Sequence, residues 1–72
     1  FVTERDFLDK FIELTDTDDE VKMITVLDDL VEWDSLSIVS FIAMANANCG
    51  VKVKLDDVKA ASTVKELYKL IG

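Results

Sequence analysis

Apolar residues recur at helical spacing near the start of the chain. Thr3 is placed to cap a helix, and Asp6, its third residue, approximates a capping box. The apolar residues that follow fall on one side of such a helix: Phe7, Leu8, Phe11 and Ile12, with Leu14 near the end. The spacing predicts a first helix with this side turned to a core.

The segment from residue 15 to residue 34 has no clean period. It begins with the turn and charge cluster TDTDDE, and its later apolar residues suit neither a regular helix nor a regular strand: Val21, Met23, Ile24, Val26, Leu27 and Leu30. A connection this long is unusual in a compact domain. We expect a long first loop that packs its apolar residues and contains one short helical turn.

A second helix is predicted to start at Asp34 or Ser35 and to run to about Cys49. Asp34 is a favourable N-cap, and Gly50 follows the last turn, where a left-handed residue is favoured. The buried stripe of this helix is predicted to consist of Leu36, Val39, Ile42 and Ala43.

The last third of the chain predicts one short helix and one closing helix. VKVKL alternates, but a single strand would have no partner, so it is interpreted as an extended connection. LDDVKAAS favours a short helical element. Thr63 and Glu66 have the spacing of a capping box, and an apolar side follows: Val64, Leu67, Leu70 and Ile71.

These elements predict an all-α fold. Residues 1–72 are expected to form one domain, a small helical bundle with three main helices, one short helix and a long first loop. No apolar run approaches the roughly 20 residues that cross a bilayer, so membrane insertion is not expected.

The amino-acid composition argues against several classes of enzyme and metal site. The chain has no His, which removes the Ser-His-Asp triad, the Cys-His pair and imidazole metal ligands. An EF-hand loop starting at Asp16 would need Gly and Glu where Val21 and Leu27 stand, so no metal site is predicted. The single cysteine, Cys49, is interpreted as a buried, inert thiol and favours a reducing cytoplasm. We therefore do not expect an enzyme.

Charge is distributed unevenly along the chain, whose net charge is −7. Residues 1–34 contain twelve acids and three bases, which gives −9, whereas residues 35–72 contain three acids and five lysines, which gives +2. Such a field disfavours nucleic acid as a partner and favours a basic protein surface.

Ser35 is the candidate site residue. At a helix start, free N–H groups and the positive end of the helix dipole favour a phosphate. The local sequence alone leaves a second interpretation open, because an Asp-Ser pair is common capping chemistry and D-S-L is a short motif with many chance matches. Trp33, next to this pair, is predicted to pack and close the loop over the bundle.

The order of elements adds a resemblance that covers nearly the whole chain. An amphipathic helix, a long acid-rich loop, D-S-L opening a second helix, a short LDDV element and a T-V-capped final helix together resemble the acyl carrier protein family. The E-W-D-S-L form, with Trp33 where a small residue is usual, looks more like stand-alone carriers of specialised pathways.

The resemblance implies a cofactor and a set of partners. In that family a dedicated transferase attaches 4′-phosphopantetheine from coenzyme A to the D-S-L serine, which implies Ser35 here, preceded by Asp34 and followed by Leu36 beneath the arm. The arm's terminal thiol would hold acyl groups as thioesters for enzymes of fatty-acid, lipid, polyketide or cell-surface biosynthesis. An aminoacyl or peptidyl carrier shares the fold and the serine, and an unmodified helical interaction module is the alternative of a different class.

Docking is expected to differ from the usual pattern of the family. Helix two carries no acid after Asp34, so recognition is predicted to use the acids of the preceding loop, Asp29 and Glu32, together with exposed apolar residues of helix two, Ile38 and Met44. The phosphopantetheinyl transferase and the acyl-loading and acyl-accepting enzymes are the expected partners of a cytoplasmic monomer.

Overall fold

The computed structural model describes residues 3–18 and 20–71 of the chain. Four α-helices follow one another: α1 (Glu4–Thr15), α2 (Ser35–Cys49), α3 (Leu55–Ala60) and α4 (Val64–Ile71). A 3₁₀ turn, Leu27–Asp29, lies between α1 and α2, and the described residues contain no β-strand. The predicted all-α bundle with three main helices, one short helix and a long first loop is confirmed. Asp19, one acid of the TDTDDE cluster, lies outside the described residues.

Helix α1 begins where its sequence predicts. The Thr3 hydroxyl oxygen accepts a hydrogen bond from the Asp6 N–H at 3.2 Å, which satisfies one of the free donors of the first turn. Asp16 follows the last turn with φ 53°, in the left-handed region that Asp tolerates better than most residues. Phe7 and Phe11 are completely buried, so this helix contributes two rings to the core.

The first loop packs through its apolar residues and is bonded to the start of α4. Val21, Leu27 and Leu30 are buried, and the predicted short helical turn is the 3₁₀ turn. Backbone hydrogen bonds join loop and helix: Leu27 N–H to the Ser62 carbonyl at 2.9 Å, Val64 N–H to the Thr25 carbonyl at 3.1 Å, and Lys65 N–H to the Met23 carbonyl at 2.9 Å. The loop is therefore a structured part of the fold.

Helix α2 turns a different side to the core from the one predicted. Leu36 and Val39 are 74% and 60% exposed, Ala43 is also exposed, and only Ile42 of that stripe packs against the core. The buried residues are Ser37, Phe41 and Ala45, at i, i+4 and i+8. The prediction was wrong because α2 has apolar residues on every side, so its periodicity does not select a face.

Aromatic rings explain which side of α2 is buried. Phe41 is completely buried, and its ring centroid lies 6.0 Å from that of Phe7 and 6.3 Å from that of Trp33. Trp33 also contacts Phe11, with ring centroids 5.4 Å apart. Trp33 thus packs the end of the loop onto the bundle, as predicted, and places the next residues at its surface.

The second half of the chain follows its predictions closely. Gly50 ends α2 with φ 66°, and residues 51–54 form an extended connection to α3. Val64, Leu67 and Ile71 of α4 are buried, and Leu70 is half-buried against the core. Cys49 is a free thiol, and it is half-buried rather than buried as predicted.

Candidate functional site

The start of α2 is organised around Asp34. This residue is extended, with φ −129° and ψ −170°, and its Oδ1 accepts a hydrogen bond from the Ser37 N–H at 3.0 Å. Its carbonyl accepts the first bond of the helix ladder, from Ile38 N–H, at 3.0 Å. Asp34 is therefore the N-cap, and Ser35 becomes the first helical residue, with an exposed side chain.

The first turn of α2 retains donors for an anion. Ser37 N–H is bonded to Asp34, but the N–H groups of Ser35 and Leu36 have no hydrogen-bond partner among residues 3–18 and 20–71. No acidic residue occupies this turn after the cap. Exposed N–H groups at the positive end of a helix favour a phosphate, so the residues present fit a phosphodiester on the Ser35 hydroxyl.

Two contacts hold the segment that precedes Ser35. The Ser37 hydroxyl donates a hydrogen bond to the Glu32 carbonyl, five residues back along the chain. Trp33 N–H donates to the Leu30 carbonyl at 3.1 Å, while its ring packs on the core. Ser35 therefore projects from a supported corner between the loop and the helix.

The surface around Ser35 combines exposed apolar side chains with exposed acids. Leu36 and Val39 on α2 and Val31 in the loop are 74%, 60% and 89% exposed. Isolated apolar side chains are common at surfaces, but Leu36 and Val39 are three residues apart on one helix and lie on the same side. Asp29 and Asp34 are exposed as well.

The residues predicted for docking do not all lie at this surface. Ile38 and Met44 are half-buried and pack against the core, so the expectation that they are exposed is wrong. The same misjudged face of α2 accounts for this error. Glu32 is half-buried, and its Oε1 is buried without a hydrogen-bond partner among the described residues. Asp29 is exposed.

Residues 3–18 and 20–71 contain no group of three or more Cys, Asp or Glu side chains in a metal-binding arrangement. In the same residues, no helix has the length and apolar character needed to span a membrane.

Comparison with known proteins identifies the family. The family model described as phosphopantetheine attachment site matches residues 5–71. No curated protein and no solved structure matches the chain. Domains of this family carry 4′-phosphopantetheine covalently on a serine, are modified by a phosphopantetheinyl transferase, interact with partner enzymes, and are themselves carriers without catalytic activity. The chain belongs to the phosphopantetheine attachment site family.

Proposed function

We propose that this member of the phosphopantetheine attachment site family holds acyl intermediates as thioesters on an arm attached to Ser35 and delivers them to biosynthetic enzymes. The observation that carries the proposal is the position of Ser35. Its side chain is exposed at the first residue of α2, beside N–H groups that have no partner among the described residues.

Each residue of D-S-L has a distinct role in this proposal. Asp34 caps the helix and fixes where α2 begins. In the attachment, the Ser35 oxygen forms a bond to the pantetheine phosphate while the pyrophosphate bond of coenzyme A breaks, releasing adenosine 3′,5′-bisphosphate and the hydroxyl proton. The N–H groups of Ser35 and Leu36 would be available to hold the phosphodiester, and the exposed Leu36 side chain would offer apolar surface to the arm.

The arm supplies the chemistry that the chain lacks. Its terminal thiol would supply the thioester bond, and no side chain of this protein would take part in that bond. The chain's own contribution is to hold the attachment point at the corner that Trp33 and Asp34 define.

Mass spectrometry after incubation with coenzyme A and a phosphopantetheinyl transferase tests the attachment. The wild-type protein should gain one phosphopantetheinyl group, and Ser35→Ala should gain none. Ser62→Ala is the matched control, because Ser62 is also an exposed serine just before a helix. Ser62→Ala should be modified like wild type, and an adduct on Ser35→Ala would overturn the assignment.

The carried group is tested on protein isolated in its loaded form. Hydroxylamine cleaves thioesters, and mass analysis of the released group is expected to show an acyl chain. An amino acid or peptide would favour the aminoacyl carrier instead. The same proposal predicts delivery to enzymes of fatty-acid, lipid, polyketide or cell-surface biosynthesis. It also predicts a cytoplasmic location, which the single cysteine favours.

Docking is proposed to use the exposed side of α2 and the acids before it. Leu36 and Val39 take the place of Ile38 and Met44 as the apolar contacts, because they are the exposed pair. Asp29 provides steering charge, and Glu32 contributes less because part of its carboxylate is buried.

Association kinetics with the transferase separate the two contributions to docking. Asp29→Lys should slow association and weaken its dependence on salt, whereas Val39→Ala should mainly speed dissociation. If Asp29→Lys leaves association unchanged while Val39→Ala abolishes it, docking is hydrophobic and the steering argument is wrong.

A further inference from the structure

We infer that Ser37 is a positioning residue that holds the segment presenting Ser35 to the transferase. The inference rests on the proposed function, since it concerns how the attachment serine is held. Ser37 is only 8% exposed, although serine is usually found at the surface. A buried hydroxyl has to be hydrogen-bonded, so its partner shows what it does.

Ser37 bonds to the N-cap itself and to the residue two positions before it. Its hydroxyl donates to the Glu32 carbonyl, and its N–H donates to Asp34 Oδ1 at 3.0 Å. Ser35 lies between Glu32 and Ser37 in the sequence, so these two bonds close a short ring of backbone that includes it. One residue thereby ties the last part of the loop to the first turn of α2.

Loss of the Ser37 hydroxyl should loosen this ring without unfolding the helix. The Asp34 cap uses the backbone N–H of residue 37 and survives a change of side chain. Trp33 remains packed on Phe11 and bonded to the Leu30 carbonyl. The Glu32 carbonyl, in contrast, would lose the hydroxyl that bonds it. The expected result is a local increase in mobility between residues 32 and 36.

Such mobility acts on the binding of the transferase rather than on the chemical step. A substrate segment that is ordered beforehand binds more tightly than one that must be ordered on binding, because apparent affinity scales with the population of the competent state. A net hydrogen bond is worth about 0.5–1.5 kcal/mol, which corresponds to roughly a two- to tenfold change. The change should appear in KM for the carrier, with kcat little altered.

The test compares wild type, Ser37→Ala, Ser37→Thr and Thr3→Ala as substrates of the transferase. Thr3→Ala is the control for stability, because it removes the N-cap bond of another helix, α1. Ser37→Ala should raise KM by roughly two- to tenfold and Ser37→Thr, which keeps the hydroxyl, should restore it. Thr3→Ala should leave KM near the wild-type value.

Amide hydrogen exchange on the unmodified proteins gives a second measurement that needs no transferase. Ser37→Ala should speed exchange of the Trp33 N–H, which is bonded to the Leu30 carbonyl, and of the residue 37 N–H, which is bonded to Asp34 Oδ1. The middle of α2 should keep its protection. If Ser37→Thr does not fold, this comparison of wild type with Ser37→Ala decides the matter alone.

Two results would overturn the role of Ser37. One is an equal rise in KM for Thr3→Ala and Ser37→Ala, which would make the effect one of global stability. The other is unchanged exchange of the Trp33 and residue 37 N–H groups in Ser37→Ala. A wild-type protein that is never modified would refute the proposed function instead, and the exchange experiment would still show whether Ser37 orders this segment.

Discussion

The starts of α2 and α4 differ in how the free backbone N–H groups of the first turn are hydrogen-bonded. At α4, the Glu66 carboxylate accepts hydrogen bonds from the N–H groups of Ser62 at 2.7 Å and Thr63 at 2.9 Å, and the Thr63 hydroxyl accepts from Glu66 N–H at 3.4 Å. Loop carbonyls accept from the next two N–H groups, those of Val64 and Lys65. At α2, Asp34 supplies one side-chain cap bond, and the N–H groups of Ser35 and Leu36 have no partner among the described residues.

The difference matches what the proposed attachment to Ser35 would require of a helix start. A helix N-terminus favours negative charge, and α4 satisfies this with its own Glu66, whose pKa is lowered by the hydrogen bonds from the Ser62 and Thr63 N–H groups. The first turn of α2 contains no acid after its cap, so an added phosphate would meet free donors and no occupying carboxylate. At α4, the protein's own side chains and loop carbonyls bond the N–H groups, and we call this start closed. At α2, two N–H groups remain available to a covalently attached group, and we call this start open.

The largest expected change in stability tests a second difference between α2 and α4, namely which side of each helix is buried. Phe41→Ala should destabilise the fold by about 3–5 kcal/mol, because it removes a completely buried ring that contacts Phe7 and Trp33. Val39→Ala should change stability by at most about 0.5 kcal/mol, since Val39 is 60% exposed. Denaturant unfolding measures both. Equal losses would mean that α2 also buries the side on which Val39 lies.

The same helices show how far the sequence could predict the fold. In α4 the apolar residues occupy one side, so spacing identified its buried residues, as it did for Phe7 and Phe11 in α1. In α2 uncharged residues continue around the helix, and spacing favoured a side that is exposed. The size of Phe41 was the better signal, because a large ring finds most contacts in a core that already contains other rings.

The site was predictable in part for a similar reason. The cap at Asp34 is local chemistry of two or three residues, so its position and the helix start at Ser35 could be predicted. The hydroxyl of Ser37 bonds to a carbonyl in an irregular loop, and no sequence rule predicts the path of that loop. The depth of Ile38 and Met44 depends on how α2 is rotated, which the packing of the whole bundle determines.

A smaller effect tests whether the two helix starts are closed and open, as described. Thr63→Ala should cost about 1 kcal/mol of stability, because it removes the hydroxyl that accepts from Glu66 N–H in the capping box. Ser35→Ala should cost at most about 0.5 kcal/mol, because the Ser35 side chain is exposed and has no hydrogen-bond partner among the described residues. Thermal and denaturant unfolding of the unmodified proteins measure both changes. A larger loss for Ser35→Ala than for Thr63→Ala would show that the Ser35 hydroxyl closes the start of α2.

The smallest effect concerns the charge that closes α4 and is expected to depend on pH. The pKa of Glu66 is lowered from its ordinary value of 4.5 because the Ser62 and Thr63 N–H groups bond to the ionised carboxylate. A carboxylate whose pKa is lower in the folded state stabilises the fold fully above its unfolded pKa, and this stabilisation is lost as pH falls through the folded pKa.

Glu66→Gln keeps an oxygen acceptor and removes the charge, so wild type should be more stable than the variant at neutral pH. The difference should shrink as pH falls below about 4.5, since the other carboxylates are common to both proteins. Unfolding measured from pH 7 to pH 3, with NMR titration of the Glu66 carboxyl, provides the check. A stability difference that does not change with pH, or a titration midpoint at or above the ordinary value, would show that Glu66 does not supply the anion at this helix start.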